Sequence, residues 1–192
     1  MESLFVSTGV VALAEIGDKT QLLAFLLATR VKKPLPIIAG ILVATILNHS
    51  LAGALGAWIT ATLSPEALRW ILGLSFIGMA VWTLIPDKIE EEEMQVAKKF
   101  GVFGATLITF FLAEMGDKTQ IATVAMAAHY PSPVLVVIGT TLGMLIADVP
   151  AVYIGDRFAA KIPMKLVHGI AAAMFAAMGV ATLLGVGASF GF

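Results

Sequence analysis

The sequence predicts an all-α membrane protein with six transmembrane helices, arranged as two inverted three-helix repeats. Three observations carry that prediction. First, only 12 basic and 13 acidic residues occur among 192, against 59% apolar composition and a mean hydropathy of +0.95, whereas about a quarter of a soluble domain is charged. Second, one charged motif occurs twice, 99 residues apart. Third, Lys and Arg concentrate in alternate connections between the apolar segments, the bias that sets membrane orientation.

Hydropathy, broken at charge and proline clusters, places the six spans at Leu4 to Thr29, Leu35 to Thr62, Ala67 to Ile85, Gly101 to Ala128, Val134 to Ile154 and Leu166 to Phe192. A span needs roughly 20 apolar residues, so this chain has room for six and no second soluble domain. Ala12-Leu13-Ala14 resembles a signal-peptide cleavage site, but no Lys or Arg precedes the apolar run. A near-copy of the stretch sits in mid-chain, so the first span reads as a mature helix. Helix 6, with Gly169, Ala173, Gly185 and Gly187, reads as close helix packing.

Arg30, Lys32 and Lys33 follow helix 1; Lys88, Lys98 and Lys99 follow helix 3; Arg157, Lys161 and Lys165 follow helix 5. Arg69 alone lies on the other side. That places the three basic loops in the cytoplasm and both termini outside. Trp58 and Trp70 flank the outer loop between helices 2 and 3 and suit an interfacial belt. The connection at about 87–99 contains Glu90 to Glu93 and reads as a solvated linker; as an alternative it collects cations at a cytoplasmic mouth.

Leu13 to Gln21 (LAEIGDKTQ) recurs as Leu112 to Gln120 (LAEMGDKTQ), identical at eight of nine positions. The same offset aligns Pro34 with Pro133, Gly40 with Gly139, Phe76 with Phe175 and Thr83 with Thr182. Residues 1–93 and 100–192 are therefore two copies of one three-helix unit. Each crosses an odd number of times, so the copies have opposite orientation. Inverted repeats of this kind occur in secondary transporters, with the substrate site near the midplane between halves.

Glu15, Asp18 and Lys19 fall midway along helix 1, and Glu114, Asp117 and Lys118 midway along helix 4. A charge there costs about 2.5 to 3.5 kcal/mol on insertion scales, so all six are expected to face inward. In a continuous helix Glu15 and Lys19, and likewise Glu114 and Lys118, stand four residues apart in the favourable order for an ion pair. Such pairing leaves Asp18 and Asp117 uncompensated. Four carboxylates and two ammonium groups carry a formal charge of −2, which matches one divalent cation. Oxygens from these acids, Thr20, Thr119, Gln21 and Gln120 suit hard ions such as Mn²⁺, Ca²⁺ and Mg²⁺. Gly17 and Gly116 permit close helix approach or local unwinding that frees carbonyls as ligands.

In helix 2, Asn48 and His49 align with Ala147 and Asp148 of helix 5. Asp148 reads as a fifth ligand, a proton carrier or a partner of a neighbouring helix. Asn48 reads first as a packing amide, and His49 as a satisfied interior histidine. His129 and His168 fall near span ends, where interfacial placement suffices. The absence of cysteine excludes disulfides, thiolate metal sites and cysteine nucleophiles, and a net charge of −1 without a basic stripe excludes a nucleic-acid partner.

Two copies of Glu-x-Gly-Asp-Lys-Thr, one in the first helix of each half, resemble the GDT-type cation exchanger family, which includes small bacterial manganese exporters and Golgi and chloroplast manganese/calcium transporters. The resemblance covers essentially the whole chain. It implies a metal site of Glu15, Asp18, Glu114 and Asp117 and transport of Mn²⁺ or Ca²⁺ as substrate, against protons and without a resident cofactor. The expectation is therefore a Mn²⁺ exporter of the bacterial inner membrane; a Ca²⁺/H⁺ exchanger and a divalent cation channel are the alternatives. An enzyme is not expected, since no His-Glu-x-x-His motif occurs and no histidine neighbours the motif acids in sequence.

Overall fold

The computed structural model describes residues 1–85, 100–154 and 164–185. Among them the regular elements are all α-helices: α1 (Glu2–Glu15), α2 (Lys19–Val31), α3 (Pro34–Thr62), α4 (Pro65–Trp82), α5 (Val102–Glu114), α6 (Lys118–His129), α7 (Pro133–Ile154) and α8 (Met164–Leu184). The acidic stretch Glu90 to Glu93, the loop residues Lys88, Lys98, Lys99, Arg157 and Lys161, and Gly187 lie outside the described residues. Three helices, α3, α7 and α8, are each long and apolar enough to cross a bilayer.

The first and fourth expected spans are not continuous helices. Each is broken inside its motif, at Ile16–Asp18 between α1 and α2 and at Met115–Asp117 between α5 and α6. The cause is local. Gly17 (φ 85°) and Gly116 (φ 77°) occupy the left-handed region, which only glycine enters freely. Asp18 and Asp117 follow in extended conformation at the N-cap of the next helix, a position that favours Asp, and Asp117 Oδ1 accepts the Lys118 N–H at 2.6 Å.

Elsewhere the boundaries follow familiar chemistry. Pro34 and Pro36 open α3, where a missing N–H costs nothing. Ser64 Oγ accepts the Ala67 N–H at 3.3 Å to start α4. Gly185 (φ 68°) closes α8. At 29 residues α3 is about 43 Å long.

The two halves interlock. α3 packs against α5 and α6, α7 against α1 and α2, and α4 against α8. Gly40 on α3 and Gly139 on α7, equivalent under the 99-residue offset, are points of close approach. A Cβ on Gly40 would come within 2.7 Å of Thr106 Cβ and 2.9 Å of Phe103 O, and one on Gly139 within 2.6 Å of Leu4 O.

The α4–α8 contact uses Gly73 and Gly179. This corrects the expectation for the last helix: a Cβ on Gly169 would meet nothing within 4 Å, Ala173 is exposed and Gly185 forms the terminating turn.

Two apolar cores result. One gathers Val10, Val11, Leu72, Phe76, Met126, Met144 and Phe175 from α1, α4, α6, α7 and α8. The other gathers Leu23, Ile37, Ile41, Phe110 and Ala151 from α2, α3, α5 and α7. Each motif is thus the link through which the chain passes from one core to the other.

Candidate metal centre

All four motif carboxylates are buried: Glu15 and Glu114 at 0% exposure, Asp18 at 2% and Asp117 at 4%. The helix breaks place Glu15 on the last turn of α1 and Glu114 on the last turn of α5, while Asp18 and Asp117 sit at the N-termini of α2 and α6. Thr20 Oγ1 donates to Glu15 Oε2 at 2.6 Å, and Thr119 Oγ1 donates to Glu114 Oε2 at 2.7 Å. The opposite oxygens, Glu15 Oε1 and Glu114 Oε1, have no hydrogen-bond partner among the described residues.

The lysines do not pair as expected within their own motifs. Lys118 Nζ stands 2.9 Å from Asp18 Oδ1, and Lys19 Nζ stands 3.4 Å from Asp117 Oδ2. Each ammonium thus neutralises the aspartate of the other half. The intrahelical prediction fails because the four-residue spacing brings side chains together only on an unbroken helix, and Gly17 and Gly116 break both. The aspartates expected to be uncompensated are the compensated ones, while each glutamate is held by a threonine.

An interrupted helix leaves backbone N–H and C=O groups that the apolar interior cannot solvate. The motif glutamines meet that need. Gln21 Oε1 accepts the Gly17 N–H at 2.8 Å, and Gln120 Oε1 accepts the Gly116 N–H at 2.7 Å. Their amide groups reach across to the opposite half: Gln21 Nε2 donates to the Ala147 carbonyl at 2.9 Å, and Gln120 Nε2 donates to Asn48 Oδ1 at 2.6 Å. Asn48 Nδ2 in turn donates to the Phe111 carbonyl at 2.9 Å. Asn48 therefore links α6 to α5 and supports the motif break.

Asp148 is wholly buried on α7 and neither of its oxygens has a hydrogen-bond partner among the described residues. It lies within electrostatic range of Glu15 and Glu114, and Glu114 lies within range of Glu15. His49, its equivalent on α3, is wholly buried with both ring nitrogens unbonded among the described residues, so it is not the satisfied interior histidine that the sequence suggests.

His168 departs further from expectation. Its Nε2 lies 2.8 Å from the Ile16 carbonyl at the first break. His168 falls at the repeat position of Arg69, so both halves carry a basic residue at the same place on their last helix, but that equivalence does not mark the contact.

Among the described residues, no three His, Asp or Glu side chains stand together closely enough to hold one ion. The structure thus brings the two motifs together through crossed ion pairs, with the carboxylates engaged by lysine and threonine.

Comparison with known proteins gives this arrangement a family. The profile of the family described as "Divalent cation/proton antiporter GDT1" matches residues 3–91 and again 102–189. The chain belongs to the GDT1 family. A Vibrio cholerae protein described as a candidate manganese exporter is 51% identical over 183 residues, covering 95% of this chain and 90% of that one. A GDT1-like protein 4 of Oryza sativa subsp. indica is 30% identical over 91% of this chain and 70% of its own length. A GDT1-like protein 5 of Arabidopsis thaliana is 26% identical over 93% of both chains. No solved structure matches. Membership of the GDT1 family together with the long apolar helices makes this an integral membrane protein of the cation-transporter class.

Proposed function

We propose that the chain exports Mn²⁺ from the cytoplasm in exchange for protons, by alternating access at a carboxylate site formed by Glu15, Asp18, Glu114 and Asp117, with Asp148 as a fifth acid. In this reading, residues 1–93 and 100–192 are two inverted three-helix repeats, six spans in all: α1 with α2 and α5 with α6 each form one broken span, and α3, α4, α7 and α8 form the others. The membrane is the bacterial inner membrane, both termini lie outside, and the connections after the first, third and fifth spans are cytoplasmic.

The observation that carries the proposal is the crossed pairing, in which Lys118 reaches Asp18 and Lys19 reaches Asp117. It supports a shared site, since the two acidic motifs contribute to one polar cluster. The ends of α1 and α5 support a cation as its occupant, because a helix C-terminus carries partial negative charge and unsatisfied carbonyls. Broken helices with such ends recur at ion sites of inverted-repeat transporters. The donors are carboxylate, hydroxyl, amide and carbonyl oxygens, which suit Mn²⁺ and Ca²⁺.

Moving a divalent ion outward against an interior-negative potential costs about 4.6 kcal/mol per 100 mV, twice the single-charge figure. Export therefore needs a driving ion. Protons serve because a buried carboxylate cluster binds either protons or a divalent cation and disfavours holding neither. Two protons inward per Mn²⁺ make the cycle electroneutral; three let the potential assist. Ammonium groups inside the polar cluster are a poor lining for a cation channel, which favours exchange.

The test is Mn²⁺ flux in vesicles reconstituted with the purified protein, under an imposed pH gradient and with Ca²⁺ as competitor. Proton-driven Mn²⁺ flux, lost in Asp117→Asn while the folded protein is retained, is the expected outcome. Wild-type flux in both Asp18→Asn and Asp117→Asn would exclude the site, and flux indifferent to the proton gradient would exclude exchange.

A further inference from the structure

We propose that Lys19 and Lys118 are the resident cations of the empty carrier, tethered surrogates that occupy the aspartates when no metal is bound and are displaced when it arrives. The inference rests on the metal-site reading above and adds a role for the lysines that the shared motif does not itself specify.

The geometry points this way through three features. Each ammonium sits at ion-pair distance from an aspartate of the opposite half, 2.9 Å for Lys118 and 3.4 Å for Lys19, so metal and lysine compete for the same oxygens. The competition is built in trans. Displacing a crossed lysine therefore also removes a tie between the two halves. Finally, the two pairs are unequal: the Lys118 and Asp18 side chains are 1% and 0% exposed, whereas Lys19 is 20% exposed beside Asp117 at 2%.

The functional consequence concerns the return step. An empty site of four bare carboxylates is a strongly charged object to carry through a low-dielectric barrier. With both lysines seated, half of that charge is cancelled by groups that cannot leave. With the entering protons on the remaining acids, the metal-free carrier can then reorient and exchange stays coupled to protons. The shorter, fully buried pair acts as the anchor. The longer, partly exposed pair is where Mn²⁺ first displaces an ammonium, so Asp117 is engaged before Asp18.

The test compares Lys19→Gln, Lys118→Gln and the corresponding Arg variants. Two quantities are read: Mn²⁺ affinity of the purified full-length protein in detergent, and the ratio of proton-driven net flux to Mn²⁺/Mn²⁺ exchange in vesicles. A competitor that occupies the site about nine-tenths of the time weakens apparent affinity about tenfold. Lys19→Gln should therefore bind Mn²⁺ about tenfold more tightly, with a ratio of net flux to exchange about tenfold lower, because only net flux needs the empty carrier to return. Arg keeps the charge and should restore the ratio.

Lys19→Gln carries the test alone if Lys118→Gln does not fold, since the Lys118 pair is the buried one. Unchanged affinity and an unchanged ratio in Lys19→Gln would overturn the inference. If Asp117→Asn loses Mn²⁺ binding in that case, only the lysine role fails. If Asp18→Asn and Asp117→Asn both bind Mn²⁺ like the wild type, the metal site fails and the lysine role with it.

Discussion

At the scale of single residues, the unequal environments of the two ion pairs make different demands on stability. Removing one partner of a buried pair typically costs about 3 to 5 kcal/mol, because the remaining charge loses its counter-ion in a medium that cannot solvate it. Lys118 with Asp18 meets that condition, while Lys19 is one-fifth exposed and gains some solvation. Asp18→Asn should therefore lower the thermal unfolding midpoint in detergent clearly more than Asp117→Asn, and equal losses would show that the pairs are energetically alike. Thr20 and Thr119 are a second matched pair. Replacing either with Val keeps the shape and removes the hydroxyl that donates to Glu15 or Glu114. Leaving such a buried oxygen unbonded costs about 1 to 3 kcal/mol, so both variants should unfold at lower temperature.

At the scale of elements, the break in each motif-bearing span is the decisive feature, and its support differs between the halves. Gln21 reaches the backbone carbonyl of Ala147, whereas Gln120 reaches the side chain of Asn48 at the equivalent position. Asn48→Ala should thus be mild, because Gln120 can take the carbonyl of residue 48 as Gln21 takes that of Ala147. Gln120→Leu should cost more, because the wholly buried Asn48 amide loses its partner inside the bundle at about 1 to 3 kcal/mol, and the exposed Gly116 N–H loses its tie as well. Comparing the two thermal midpoints checks the order. Glycine substitutions separate strain from crowding. A Cβ on Gly116 would meet nothing within 4 Å, so Gly116→Ala acts through its positive φ alone, at about 1 to 2 kcal/mol. Gly40→Ala instead presses on the α5 backbone, and overpacking of that kind costs about 1 to 3 kcal/mol.

At the scale of the whole molecule, the 99-residue duplication is not matched by symmetric packing. α8 lies on α1 and α4 lies on α6, so among the described residues both terminal helices join the same one of the two apolar cores. A two-fold arrangement would exchange the two cores and so place α4 in one and α8 in the other. If the two repeats swap conformations, as alternating access in inverted-repeat transporters has it, α4 and α8 pass from this core to the other. Phe76 on α4 meets His129 on α6 with ring centroids 5.8 Å apart. The chain has no cysteine, so cysteines placed at these two positions can be bridged selectively by a reducible bis-methanethiosulfonate linker. Joining them should arrest Mn²⁺ flux in vesicles, and reduction should restore it. Undiminished flux in the cross-linked protein would sink the rocking motion.

Membrane character, the duplicated unit and the identity of the charged residues were all legible in the chain, because each depends on composition or on local spacing. Apolar runs separated by basic loops mark membrane helices whatever their neighbours do, and an eight-in-nine match at a fixed offset needs no structure to be seen. The broken spans were half legible: Gly17 and Gly116 allow unwinding, but hydropathy averages over a short break and cannot register it. Ion-pair partners were not legible. A four-residue spacing names a partner only while the backbone stays helical, and once the two glycines turn the chain, Lys19 and Lys118 pair with aspartates of the opposite half that are about a hundred residues away in sequence. Docking of one half on the other made that choice. The same docking brought His168 to the Ile16 carbonyl and Asn48 to Gln120, contacts that no local pattern encodes, because burial lets each unsatisfied polar group take whatever partner the packed helices bring within reach.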